Sequence, residues 1–419
     1  MTMAESGRIV TLDIVRGVAV MGILTMNIVV FAMPVGAAMN PLVFGTESAA
    51  DLASWTFSFI FFDGRMRGLF SFLFGASMLL VIERAQASGR SAAIVHFARM
   101  GWLLVFGLLH YFLIWFGDIL TTYAVTGMVA FAFRNSPVTN LLAAAAAFLL
   151  LQFMMFTLTA GGFYMTELAA MQPGATMGSQ LDWQQMQSGV GYYSADHLQR
   201  LLGLYRGAYG GLVQFMLTAK WDRPIESLIV SGPETLAYFL IGIAAYRSGF
   251  LTGAWGDGRY RHIAAIGFGI GIPAYAALAS VLLFTRFHVP TIFAVEAATV
   301  VVRPLMIVAT AALIILLTRR GGRLVDRIAA AGRAAFTNYV ATSLLMTFFF
   351  YGWGLGLYGS FTRSELWLFV LGGWALMLLW SKPWLDRFRY GPFEWMWRSL
   401  ARGRLQRISR RPNAAGALT

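Results

Sequence analysis

Four stretches of this chain set ionisable or amide side chains inside otherwise apolar runs, and they decide which chemistries are open to it. In Thr11–Asn27, TLDIVRGVAVMGILTMN, Asp13 and Arg16 are three residues apart and share one face of a helix. Asn27 follows eleven residues after Arg16, about three turns on. Asp63, Arg65 and Arg67 interrupt an apolar stretch further along. His110 stands in GLLHYFLIWFGDILTTYAVTG, Gly107–Gly127, with Asp118 eight residues beyond it. Glu296 and Arg303 are seven apart, two turns on one face, and Pro304 should loosen the helix there. Buried in hydrocarbon, such groups cost several kcal/mol unless they find partners, so each is a site candidate. An imidazole exchanges a proton near neutral pH, which suits a general base, and burial favours its neutral form. A buried arginine faces a cavity or an anion. Each also has a structural reading: Asp13–Arg16 as a membrane-edge ion pair, His110 as a packed histidine, Glu296–Arg303 as a tie between helices.

The elements that must position them are membrane helices. Of 419 residues 58% are hydrophobic and only 12% charged, against about 25% charged in a soluble domain. The mean hydropathy is +0.65. The first apolar run is long and no small-residue cleavage site follows a short core, so it reads as a retained span. With no cysteine there is no disulfide, thiolate nucleophile or cysteine metal site. The net charge of +13 does not point to nucleic acid, because Lys382–Thr419 alone supplies +7 directly after the last apolar span. Anionic lipid head groups are the natural partner of that tail.

Apolar spans fall at Ile14–Met33, Gly68–Val81, Phe97–Phe116, Ile119–Phe133, Leu141–Gly161, Ser231–Ala245, Ile263–Phe284, Phe293–Leu317, Ala334–Gly352 and Leu366–Trp380. The expected fold is therefore all-α and polytopic, with about ten transmembrane helices. Arg8, then Arg84, Arg90 and Arg99, then Arg134, mark successive cytoplasmic segments, as do Arg247–Arg261, Arg319–Arg327 and the tail. Both termini come out cytoplasmic. Leu201–Thr218 is rejected as a span, because it holds Arg206 and four glycines and would reverse the orientation of later segments. The expected organisation is an N-terminal five-span half over 1–162, an outer segment with amphipathic helices over 163–229, a C-terminal five-span half over 230–400 and a basic tail over 401–419. The interruption at Asp63–Arg67 predicts an interfacial helix at 52–62 leading into a span near 68–83. His110, about 13 residues along its span, is expected in the outer half of the membrane.

Several stretches resemble a known family. LDxxRGxAxxGIL followed by MN is similar to the first helix of the YeiB-type bacterial membrane proteins. It is also similar to that of the wider membrane acyltransferase superfamily, which includes the heparan-α-glucosaminide N-acetyltransferases. DGRMRGLFSFLFG, with Arg65 after Gly64, the LLH…GDIL..YA pattern, GRAAFTNYVATS at Gly332–Ser343 and SKPWLDRFRYGPFEWMWRSL at Ser381–Leu400 resemble further segments of the family. Thr342 stands where the family often has glutamine. In one branch the position of Asn27 is a histidine; in the glucosaminide branch it is an asparagine and the working histidine lies in the following loop. Here that loop, Ala32–Ser54, has no histidine.

The resemblance implies transfer of an acyl group from a cytoplasmic acyl-CoA-type donor, a co-substrate rather than a bound cofactor, to an outer-face hydroxyl or amine. It would use His110 as base, Asp118 to orient or modulate it, and Asp13, Arg16, Asn27, Arg65, Arg303 and Asn338 in substrate binding. It implies a multi-pass protein of the bacterial cytoplasmic membrane. The alternatives are a carrier for a small anionic solute, with Arg303, Arg16 and His110 along its path, and a structural membrane protein without catalysis. No Walker loop, HExxH or zinc spacing is present, so no metal is expected. Gly354, Gly356 and Gly359 form a GxGxxG that opens no βαβ unit. Gly267 and Gly271 form a GxxxG that reads as close helix packing. Oligomeric state is not readable.

Overall fold

The computed structural model describes residues 9–410. In chain order the helices are α1 (Val10–Ala32), α2 (Gly36–Met39), α3 (Ala49–Phe61), α4 (Arg65–Ala87), α5 (Ala92–Leu113), α6 (Leu120–Ala130), α7 (Val138–Met171), α8 (Met177–Gly189) and α9 (Ala195–Arg206). They continue with α10 (Tyr209–Ala219), α11 (Arg223–Arg247), α12 (Asp257–Phe284), α13 (Val289–Thr318), α14 (Arg323–Arg333), α15 (Ala335–Phe350), α16 (Leu366–Arg387) and α17 (Pro392–Ala401). Among the described residues there is no strand, only an isolated bridge between Phe388 and Ser409.

Eight helical runs are long and apolar enough to cross a bilayer: α1, α3 with α4, α5, α7, α11, α12, α13 and α16. Two more apolar helices, Leu120–Phe133 and Ala335–Phe350, are shorter. The 16 residues of α15 rise about 24 Å, less than the roughly 30 Å of a hydrocarbon core. The chain is an all-helical, multi-pass membrane protein.

The helices form an inner and an outer set. Within its most apolar window α1 is 67% buried, whereas α7 is 17% buried and turns leucines such as Leu150 and Leu158 outward. The windows of α4, α11 and α13 are mostly buried like that of α1; those of α5, α12 and α16 mostly exposed. Glycine sets the closest approaches. A Cβ on Gly75 of α4 would lie 2.1 Å from Phe239 O, and one on Gly242 of α11 1.8 Å from Phe72 O. The pair Gly267 and Gly271 does the same for α12 against Ala309 and Met306 of α13.

The charged interruption bends the chain as anticipated. α3 starts on a Ser48–Asp51 capping box and ends at Phe61, and α4 begins after Gly64, whose φ of +58° favours glycine. Residues 195–219 form two short helices broken at Gly207, neither long enough to cross. They dock by backbone, Gly352 N–H donating to Tyr205 O at 2.8 Å. α7 runs on to Met171, through the boundary expected at 162. α13 is continuous through Pro304, the position where loosening is expected.

Candidate functional site

The hairpin between α5 and α6 builds the first part of the site. Its chain turns back at 114–119, which brings Asp118 Oδ1 to 3.1 Å from His110 Nδ1, although Asp118 is eight residues on. Asp118 Oδ2 accepts from the Thr121 amide at 2.8 Å, tying the carboxylate to the start of α6. Gly107, one turn before His110, permits this approach: a Cβ there would lie 2.5 Å from Thr121 N and 3.0 Å from Asp118 Oδ2. α5 begins at Ala92, so His110 lies about 27 Å along it, deeper than the sequence implied.

His110 is 2% exposed, and its ring packs on Tyr339 at 5.1 Å and edge-on to Trp115 at 6.3 Å. The contact with Asp118 is close but off the line of a hydrogen bond. Both His110 ring nitrogens, Asp118 Oδ1, Trp115 Nε1 and Thr121 Oγ1 are buried without a hydrogen-bond partner. Most buried polar atoms are paired, so five orphans in one neighbourhood mark a place built for a polar group.

Two cavities meet at Tyr339, on which His110 packs; His110 itself lines neither. The larger, about 460 Å³, opens toward the face that carries the start of α1. Its mouth is lined by Arg16, Arg84, Arg99, Arg333, Arg389 and Arg398, with Asp13 and Glu394. Its inner wall is apolar: Phe70, Phe74, Leu103, Ile119, Leu120, Tyr123 and Tyr339. Arg16 lies 3.2 Å from Asp13 and also bonds Ser77. Arg99 lies over the Trp397 ring at 4.0 Å and Arg398 over that of Tyr390 at 4.7 Å. The smaller cavity, about 10 Å³, is lined by Asn27 with Leu24, Phe31, Thr342, Ser343 and Tyr339. Tyr339 borders both. Its hydroxyl makes only long contacts, 3.3 Å to Ile119 N and 3.4 Å to Gly117 O.

Glu394 of α17 shapes the mouth from below. It accepts from Phe336 N at 2.7 Å, Thr337 N at 3.1 Å and Thr337 Oγ1 at 2.6 Å, so a carboxylate caps the start of α15. Burial raises its pKa above the ordinary glutamate range, while these donors pull the other way. The two motif stretches at 332–343 and 381–400 are thus one joint.

The remaining candidates lie elsewhere. Arg303 is 3% exposed and sits beneath Gly64, where a Cβ would come 2.1 Å from its Nε. It bonds Glu234 at 2.5 Å and Thr299 at 2.7 Å, with Glu296 at 3.3 Å, and it lines neither cavity. Arg65 is buried and donates to Ile60 O at 2.6 Å. Asn338 donates to Ala331 O at 3.0 Å and Ser381 Oγ at 3.2 Å and accepts from Trp380 at 2.8 Å, a brace between α14, α15 and α16. The structure therefore brings His110 and Asp118 together, sets Asn27 behind Tyr339 and places Asp13 and Arg16 in the cavity mouth. It separates Arg65, Arg303 and Asn338 from them.

Trp115, Thr121, Tyr339, Glu234 and Glu394 were not among the sequence candidates. All but Glu234 stand inside the quoted motifs, but Trp, Thr and Tyr are ordinary in apolar helices, and the stretch that holds Glu394 reads as a membrane anchor. Among the described residues no group of acids and histidines could hold a metal.

A family model described as "Protein of unknown function (DUF418)" matches residues 245–404. The chain is 31% identical over 412 residues to uncharacterized protein YxaH of Bacillus subtilis (strain 168), covering 94% of each chain. It is 31% identical over 406 residues to uncharacterized protein YeiB of Escherichia coli (strain K12), covering 94% of this chain and 96% of the relative. No solved structure matches it.

Proposed function

This chain belongs to the YeiB family of bacterial membrane proteins, and on that premise we propose that it is a membrane-embedded acyltransferase. The observation that carries the reading is the group of five unpartnered polar atoms around His110, beside a cavity with a cationic mouth and an apolar interior. In this reading α6 and α15 complete ten crossings of the bacterial inner membrane. Both termini and the basic face are cytoplasmic.

The cavity suits an amphiphilic anionic donor of the acyl-CoA type. Phosphates meet the arginines, which pair with them at two points each. The acyl end reaches the apolar wall at Tyr339. Tyr339 turns aside, since its long contacts hold it weakly, and opens the way to His110 and Asn27. His110 takes the proton of an acceptor hydroxyl or amine as its oxygen or nitrogen attacks the thioester carbonyl. The C–S bond breaks, and the imidazolium returns the proton to the departing thiolate. Asp118, 3.1 Å from Nδ1, orients the ring. Asn27 donates to the carbonyl oxygen. Arg303 has no part, because its guanidinium is committed to carboxylates.

The test is release of free CoA thiol by purified protein in liposomes, supplied with acetyl-CoA and a hydroxylamine acceptor. His110→Ala should lower turnover by about 10²–10⁴-fold, with a normal elution profile and donor binding retained; Asp118→Asn should be milder. Near-normal turnover in His110→Ala would rule out the base assignment. The carrier reading keeps one observation of its own: a cationic cavity, closed at Tyr339, is also what a one-sided carrier presents. Counterflow of an anion without thiol release would favour it.

A further inference from the structure

Away from both cavities, Arg303 gathers an ion cluster that the acyl-transfer reading leaves unused. Its Nη1 bonds Glu234 of α11 at 2.5 Å, and its Nε donates to Tyr275 of α12 at 3.3 Å. Its Nη2 is shared three ways: Thr299 Oγ1 at 2.7 Å, Glu296 Oε2 at 3.3 Å and Asp63 Oδ2 at 3.5 Å. Glu234 also pairs with Arg67 of α4 and accepts from Tyr238 at 2.7 Å. Tyr123 of α6 reaches the same place through Arg67 O at 3.2 Å.

Three carboxylates thus face two guanidiniums. A third arginine, Arg65, donates to the Ile60 carbonyl and forms no ion pair among the described residues, though it stands close enough to Asp63 to act on it by charge. Charge inside a membrane helix is balanced or neutralised. Glu234 is sealed at 2% side-chain exposure with Arg on two sides, so it stays ionised. Asp63 and Glu296 instead compete for one N–H group. They are the accessible acids, with side chains 20% and 31% exposed. Two orphaned atoms lie at the same corner: Asp63 Oδ2, and the Nε of Arg65, a residue 96% buried by its 4% exposure.

We infer that Asp63 and Glu296 form an intramembrane proton-binding site, the pair sharing one exchangeable proton over Arg303 Nη2. With the proton on, Arg303 Nη2 faces one charged carboxylate of the pair. With it off, the pair repels across Arg303. Occupancy sets how firmly α13 holds the Asp63–Gly64 corner between α3 and α4. The site is independent of His110.

The test uses the whole chain in membranes and dicyclohexylcarbodiimide, an apolar reagent that adds to protonated carboxyls, with the adduct mapped by peptide mass. Labelling at Asp63 or Glu296 should be present in acid and lost as the pH is raised. In Glu296→Gln, a neutral neighbour should shift labelling of Asp63 to lower pH, with Asp63→Asn doing the same for Glu296. No adduct at either residue in the wild type, or labelling that ignores pH, overturns the site. So does an unshifted profile in folded Glu296→Gln.

Discussion

At the scale of single residues, the molecule separates acids and bases by what surrounds them. Glu234 and Arg303 are sealed together, whereas Glu226 and Arg223 are an exposed pair about half accessible on each side. Removing one member of a buried pair strands the other and costs about 3–5 kcal/mol, against roughly 0–1 kcal/mol for an exposed pair. Glu234→Gln should therefore lower the stability of the purified protein in denaturation by dodecyl sulfate far more than Glu226→Gln. Equal losses would mean that the cluster is solvated. The sequence shows Arg303 and Glu296 as neighbours by their seven-residue spacing, but Glu234 only as one acid beside Pro233 in an apolar run. Its partner lies 69 residues away on another helix, and no periodicity carries that. His110 and Asp118 are legible as members of one hairpin, but only the turn at 114–119 shows that it bends back far enough to bring them within 3.1 Å.

At the scale of elements, hydropathy located the long helices because a bilayer demands length and apolarity together. It could not show which helices would be inner, since α7 and α13 are equally apolar to the eye but turn 17% and 56% of their windows inward. Glycine carries that distinction. Gly242→Leu should drive a side chain into the Phe72 carbonyl and cost at least about 1–3 kcal/mol, read as a fall in melting temperature and loss of a monodisperse peak. Gly161→Leu on outward-facing α7, where a Cβ meets nothing within 4 Å, should leave both unchanged. The basic end makes a second prediction. Arg402, Arg404, Arg407 and Arg410 are exposed beyond α17; Arg411, also part of the expected lipid anchor, lies outside the described residues. Neutralising the four should weaken binding to acidic vesicles by about 1 kcal/mol per residue near the surface. Equal binding to neutral and acidic vesicles would exclude a lipid role.

At the scale of the whole molecule, some of the arginines that mark sidedness in the sequence, Arg84 and Arg99 with Arg389 and Arg398 of the C-terminal basic stretch, converge on the large cavity. As isolated residues in separate segments those four read only as topology markers; folding gathers them with Arg16 and Arg333 around one mouth. The chain has no cysteine, so sidedness can be read with single introduced thiols. Gln86→Cys and Gln180→Cys are both exposed positions, on the basic face and in α8. In intact cells an impermeant maleimide should label only Gln180→Cys, and Gln86→Cys only after permeabilisation; the reverse pattern would invert the orientation. The cap that Glu394 places on α15 has a consequence for manufacture. Thr337 leaves the ribosome 57 residues ahead of its cap. At about 5–20 residues per second that is a wait of roughly 3–11 seconds. Through that interval the start of α15 has bare amides and the cavity lacks its floor, so both are completed only when α17 arrives.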